Sequence, residues 1–190
     1  MSGAEAALMS LPVGRAELSD FDALVRDYRP RILRFLIGMV GDRETAEDLA
    51  QECFLRAHQA SSGFRGDAAF STWLMRIAIN LANDYQRNRR LQFWRALVRP
   101  KQQEGLAELV ESFADNRPSA ERSLIARQQV QRAWQAAQKL SVQQRTVFLL
   151  RFVDEMEIAE IAKTTGLAEG TVKVHLLRAV RAIRKALQEG

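Results

Sequence analysis

Arg76, Asn80, Asn83 and Arg87 recur at steps of four, three and four residues, so on a helix they share one face. Phe64, Phe70 and Trp73 precede or flank them. Guanidinium and amide groups can hydrogen-bond base edges, and aromatic rings can stack on unpaired bases. Together they suit the holding of single-stranded nucleic acid. Taken alone, the aromatic residues read more readily as core. A second cationic stretch lies near the end of the chain. Lys173, Arg178, Arg181, Arg184 and Lys185 fall between Thr171 and Gln188 with no acid among them. A helix of this kind can enter the major groove, its cations holding phosphates or gripping guanine. A charge run by itself is more often a solvated face. Here the preceding residues weigh against that reading: Glu157 to Ala162, the turn Thr164-Thr165-Gly166, then Leu167 and Val172 fit a helix-turn-helix. Glycine in the turn tolerates the left-handed backbone that joins two crossed helices.

Nothing comparable supports an enzyme. Asp48 and Glu52 lie one helical turn apart and can pair, but no third ligand completes a metal set. Cys53 is the only cysteine, which excludes an intramolecular disulfide and a cysteine zinc cluster, and it falls on an apolar stripe. The two histidines belong to different expected domains, and His175 has no second ligand at helical spacing. The expectation is no catalytic residue, no metal and no cofactor.

The elements that must position these residues are helical. Among 190 residues, with a hydrophobic fraction of 47%, only four are Pro and ten Gly, which leaves few breakers. Leu24, Val25, Tyr28, Ile32, Phe35, Leu36 and Met39 mark a first helix over 21–40, which Pro30 should kink or split. A second helix is expected from Glu44 to His58, with Ala46, Leu49, Ala50, Cys53, Phe54 and Ala57 on its apolar face. A third should run from Trp73 to Arg90, capped by Ser71 or Thr72, with Leu74, Ile77, Ala78, Leu81 and Tyr85 inward. The pattern then weakens, leaving short helices at most over 93–98 and 106–113. A second helical block starts near Ala120, where Leu124, Ile125, Val130 and Trp134 can share a core. Helices follow over 142–153, 156–163 and 171–188. No strand-like alternation persists and no repeat is seen. The fold class is therefore all-α: two small helical domains joined by a flexible linker. The boundaries read 1–19 as a disordered tail, 20–95 as the first domain, 96–119 as the linker and 120–190 as the second.

Charge is segregated along this framework. The net charge is +5, a mild hint of a polyanionic partner. Asp42 to Glu52 holds five acids against one Arg, whereas Arg76 to Lys101 holds seven bases against one acid. No stretch approaches the roughly 18 apolar residues of a membrane span, and the N-terminus does not look like a signal peptide. A cytoplasmic protein without membrane insertion is expected.

These segments resemble a known family. Asp48-Leu49-Ala50-Gln51-Glu52-Cys53-Phe54-Leu55-Arg56-Ala57 is similar to the polymerase-binding helix, region 2.2, of sigma-70-type RNA polymerase sigma factors. Phe64-Arg65-Gly66-Asp67-Ala68-Ala69-Phe70-Ser71-Thr72-Trp73-Leu74, with Arg76 through Asn80, resembles regions 2.3 and 2.4 of the extracytoplasmic-function (ECF, group IV) sigma factors. Leu140 through Leu187 resembles region 4. The resemblance implies a region 2 bundle and a region 4 helix-turn-helix that direct promoter-specific initiation. It implies bacterial core RNA polymerase, through its β′ and β subunits, as a partner, with Asp48, Gln51, Glu52 and Leu55 docking on β′. It implies contact with the −10 element through Phe64, Arg65, Trp73, Arg76, Asn80, Asn83 and Arg87, and with the −35 element through Thr171, Lys173, His175, Arg178 and Arg181. Control by an anti-sigma factor is implied as well. The chain departs from the family at Val174-His175, where Ser-Arg is frequent, so a typical −35 consensus is not assumed.

Two other readings compete. The run Thr171 to Leu176 also resembles the helix-turn-helix of LuxR-type regulators. Those carry a ligand or receiver domain upstream, and the βα alternation of a receiver is missing from residues 1–130. A nuclease or recombinase needs clustered carboxylates or an activated nucleophile, and neither is found.

Overall fold

The computed structural model describes residues 21–61, 69–95 and 120–188, and these contain helices and no strand. The first block holds α1 (Phe21–Val40), α2 (Arg43–Ala60) and α3 (Phe70–Arg95). The second holds α4 (Ala120–Gln138), α5 (Val142–Phe152), α6 (Ile158–Thr165) and α7 (Glu169–Gln188). The tail, the linker and the Phe64–Ala68 loop lie outside the described residues.

The apolar periodicity of α1 widens after Pro30, and from Arg31 to Val40 every residue but Arg34 is buried. Contrary to the expected split, α1 runs through Pro30 as one helix. Pro30 and Arg26, whose carbonyl loses its donor, are both exposed, so water can satisfy that carbonyl. Asp42 caps α2 by accepting the Thr45 amide at 3.0 Å. The small residues Ala46, Ala50, Cys53 and Ala57 then let α2 close on α1 and α3. α3 begins earlier than expected. The Ala69 carbonyl accepts the amides of Thr72 and Trp73 at 3.0 and 3.1 Å, so Ser71 and Thr72 belong to the first turn and are not its caps. The cause is Phe70, which is fully buried between Tyr28 and Trp73 and draws the helix start into the core.

In the second block, Ser141 and Gln144 form a reciprocal capping box at the start of α5. Gly166 ends α6 with φ +74°, the left-handed cap expected of the helix-turn-helix turn, while Thr164 and Thr165 complete the last turn of α6. Val172 and Ile161, both fully buried, lock α7 onto the helices before it.

The two blocks pack against each other. α1 meets α5, and α3 meets α5 and α6. Phe35, Leu36 and Met39 share one continuous core with Val147, Leu149 and Leu150. Gly38 makes the approach possible, since a Cβ there would lie 2.7 Å from both Leu149 methyl carbons. Polar groups fix the register of this contact. Arg31 donates from Nε and Nη2 to the two carboxylate oxygens of Asp154, at 2.5 and 2.6 Å, and both residues are buried. Asp154 is presented by the α5–α6 turn, where Glu155 has φ +55°. Burial works against the Arg31 cation, but the hydrogen bond and charge of Asp154 outweigh it and hold its pKa above the ordinary guanidinium value. Burial also pushes the Asp154 carboxyl upward, and Arg31 reverses that only in part.

Candidate nucleic-acid interface

α3 separates its faces as the spacing requires. Leu74, Ala78 and Leu81 are buried and Ile77 and Tyr85 half-buried, while Arg76, Asn80, Asn83 and Arg87 are all exposed. Met75, Ile79 and Ala82 are buried too, because α3 is packed on two sides, by α1 and α2 and by the second block. Two of the four polar residues are engaged. Arg87 pairs with Asp84 at 2.8 Å, and Arg76 donates from Nη2 to the Lys163 carbonyl near the end of α6. Trp73 is half-buried against Phe70, with ring centroids 5.5 Å apart. Phe70 itself is wholly core, so of the three aromatic residues near this face it cannot stack on a base from where it stands. Phe64 and Arg65 lie outside the described residues.

On α2, Asp48, Gln51 and Leu55 form an exposed stripe, with Leu55 51% accessible. Glu52 is half-buried and pairs with Arg56 at 2.6 Å. Glu44, one turn before Asp48, is also exposed and extends the stripe. Its four-residue step to Asp48 made it readable from the sequence. Cys53 faces the opposite way, its thiol against the Leu74 carbonyl at 3.7 Å, and burial pushes its pKa up to about 12. Among the described residues no group of three or more potential ligands could hold a metal ion, and no helix is long and apolar enough to cross a membrane.

On α7, Thr171, Lys173, Arg178 and Arg181 are exposed, as are Arg184 and Lys185. His175 differs. Its ring is half-buried, and Nδ1 is shut away from solvent with no hydrogen-bond partner. The helix-turn-helix thus presents a cationic surface on a helix anchored beneath by buried Val172, Ala179 and Ile183.

Sequence reasoning missed the polar groups between the blocks. Arg145 is buried and bonds the carbonyls of Ala137 at 3.0 Å, Met39 at 2.6 Å and Gln138. It thereby ties the ends of α1 and α4 to α5, using carbonyls that helix ends leave free. Gln138 adds a bond from Nε2 to the Gly38 carbonyl at 2.9 Å. No local spacing signals the bonds from Arg145 to Met39 and from Gln138 to Gly38, because those partners lie about a hundred residues apart in sequence.

Comparison with known proteins assigns this arrangement. The family profile described as Sigma-70 region 2 matches residues 24–92, and that described as Sigma-70, region 4 matches residues 130–183. The RNA polymerase sigma-H factor of Pseudomonas aeruginosa is 36% identical, the match covering 93% of this chain and 90% of that one. The ECF RNA polymerase sigma factor SigW of Bacillus subtilis is 31% identical over 93% of this chain and 94% of its own. In fold, the chain is similar to the sigma factor RpoE of Bartonella quintana, solved in complex with the anti-sigma factor NepR. The TM-score is 0.68 at 22% identity, covering 89% of this chain and 97% of that one. The chain belongs to the sigma-70 family of RNA polymerase sigma factors, in its ECF group.

Proposed function

We propose that residues 20–95 act as region 2 and residues 120–190 as region 4, with 96–119 as the linker between them. In this reading the α2 stripe of Asp48, Gln51, Glu52 and Leu55 docks on core polymerase. The α3 face of Arg76, Asn80, Asn83 and Arg87, with Phe64, Arg65 and Trp73, holds the melted −10 strand. Thr171, Lys173, His175, Arg178 and Arg181 serve the −35 duplex. The protein carries out no reaction of its own and works in the cytoplasm, where polymerase and promoter are. Control by an anti-sigma factor is supported by the solved relative bound to one.

The observation that carries the reading is the division of α3, with an apolar face in the core and an arginine and asparagine face left outside. Amides paired with cations suit base edges next to phosphates. Two modest DNA contacts and one polymerase contact on a single chain reinforce one another through effective concentration. Transcription by bacterial core polymerase from a random promoter library tests it. The chain is expected to confer start sites that share two motifs at a fixed spacing. Asn80→Ala is expected to lose discrimination in the downstream motif, by about 1–3 kcal/mol if it contacts a base. Absence of promoter-specific starts with a cognate core enzyme refutes the reading.

A further inference from the structure

The outermost line of α7 is apolar until it reaches Arg181. Gly170, Val174, Leu177 and Arg181 follow one another at steps of four, three and four residues, opposite buried Val172, Ala179 and Ile183. Val174 is 46% exposed and Leu177 50% exposed. No Cβ contact is met within 4 Å of Gly170, so the line starts on open backbone. Cations flank it on both sides, Lys173 and Arg184 on one and Arg178 and Lys185 on the other, all exposed. His175, by contrast, is half-buried, with its Nδ1 shut away from solvent.

When a helix lies in the major groove, its flanks face the two phosphate backbones and its central line faces the base edges. Flanking cations on both sides fit that placement, and the lack of any acid from Thr171 to Gln188 makes the occupant a polyanion. The central line then decides what is read. Arginine there reads guanine and asparagine reads adenine; an aliphatic side chain can do neither. The apolar group on the floor of the major groove is the thymine C5 methyl. Resting on the assignment of α7 to the −35 duplex, we propose that Val174 and Leu177 read thymine methyl groups there. The three-residue step between them rises about 4.5 Å along the helix, close to the base-pair rise of about 3.4 Å, so the two methyls belong to neighbouring base pairs.

Holoenzyme made from core polymerase and the full chain tests this on the upstream motif selected from the random library. Each thymine in that motif is replaced singly by uracil, which keeps the base pairing and removes only the methyl. The expected result is that one or two neighbouring replacements weaken binding about three- to five-fold, the worth of one buried methyl. Val174→Ser and Leu177→Ser are expected to abolish that difference, each at its own position, with unchanged thermal melting because both sites are exposed. A motif without thymine, uniform tolerance of uracil, or a uracil effect that survives both substitutions overturns the inference and leaves the −35 assignment standing. Variants that bind thymine and uracil promoters equally badly place the pair on a protein partner, and overturn it too. If no upstream motif emerges at all, the −35 assignment falls and this inference falls with it.

Discussion

The buried Arg145 guanidinium meets carbonyls at the ends of two helices. These oxygens have no intrahelical donor and carry the negative end of the helix dipole, so a fixed cation there satisfies several groups at once. Arg145→Leu removes the donor to the Gln138 carbonyl, while the Met39 carbonyl keeps the Gln86 amide at 2.6 Å. The expected loss is about 2–4 kcal/mol of unfolding free energy, from the lost charge-assisted bonds and the carbonyl left without its donor. Urea denaturation measures it, and wild-type stability in the variant contradicts the account. Cys53 gives a second prediction at this scale. With its pKa pushed to about 12 by burial, the thiolate fraction at pH 8 is negligible. Native protein is expected to resist iodoacetamide for hours at that pH, and denatured protein to react within minutes, as followed by intact mass.

Among the elements, α2 and α3 were largely legible because a two-sided helix writes its two faces into one period. The apolar stripe of α2 and the polar stripe of α3 lie where their spacing put them. The start of α3 was not legible. Ser71 and Thr72 look like caps, but the tertiary contact of Phe70 with Tyr28 outweighs a local capping preference of about 1 kcal/mol. The outward line of α7 was equally hidden, because a run such as Val174-His175-Leu176-Leu177 does not by itself say which of its members faces out. For α2 the exposed stripe makes a direct prediction. Asp48→Arg combined with Leu55→Ala is expected to weaken binding to core polymerase at least ten-fold, about 1.4 kcal/mol, while the melting temperature stays within a degree or two. Neither side chain is packed into the core, so binding and folding should separate. Fluorescence anisotropy of labelled protein against core enzyme reads the first, and thermal unfolding the second.

At the scale of the whole molecule the two blocks share a core, and an ion pair is buried where they meet. The resemblance pointed to two small domains on a linker, and no periodicity reveals that one domain rests on the other. In this arrangement the exposed Arg76 side chain bonds the Lys163 carbonyl and so links α3 to α6. The Arg31–Asp154 pair lies buried at the contact between the blocks. Burial is the largest influence on both groups and opposes both charges. The raised Asp154 pKa has a definite sign: this carboxyl favours the folded state below its ordinary range, and that contribution is lost as pH rises through the raised value. At neutral pH the pair therefore contributes register more than stability. Removing one partner is a different matter, because it leaves the other charge buried. Asp154→Leu is expected to cost about 3–5 kcal/mol or to part the blocks, while Arg31→Met with Asp154→Leu restores most of the stability. Urea denaturation of both single variants and the double variant measures the coupling, and small-angle scattering shows whether the single variants expand. If the double variant is as unstable as the sum of the single ones, the pair does not act as a unit, and the contact between the blocks is held by the apolar surface around Gly38 and Leu149 with the bonds of Arg145 and Gln138.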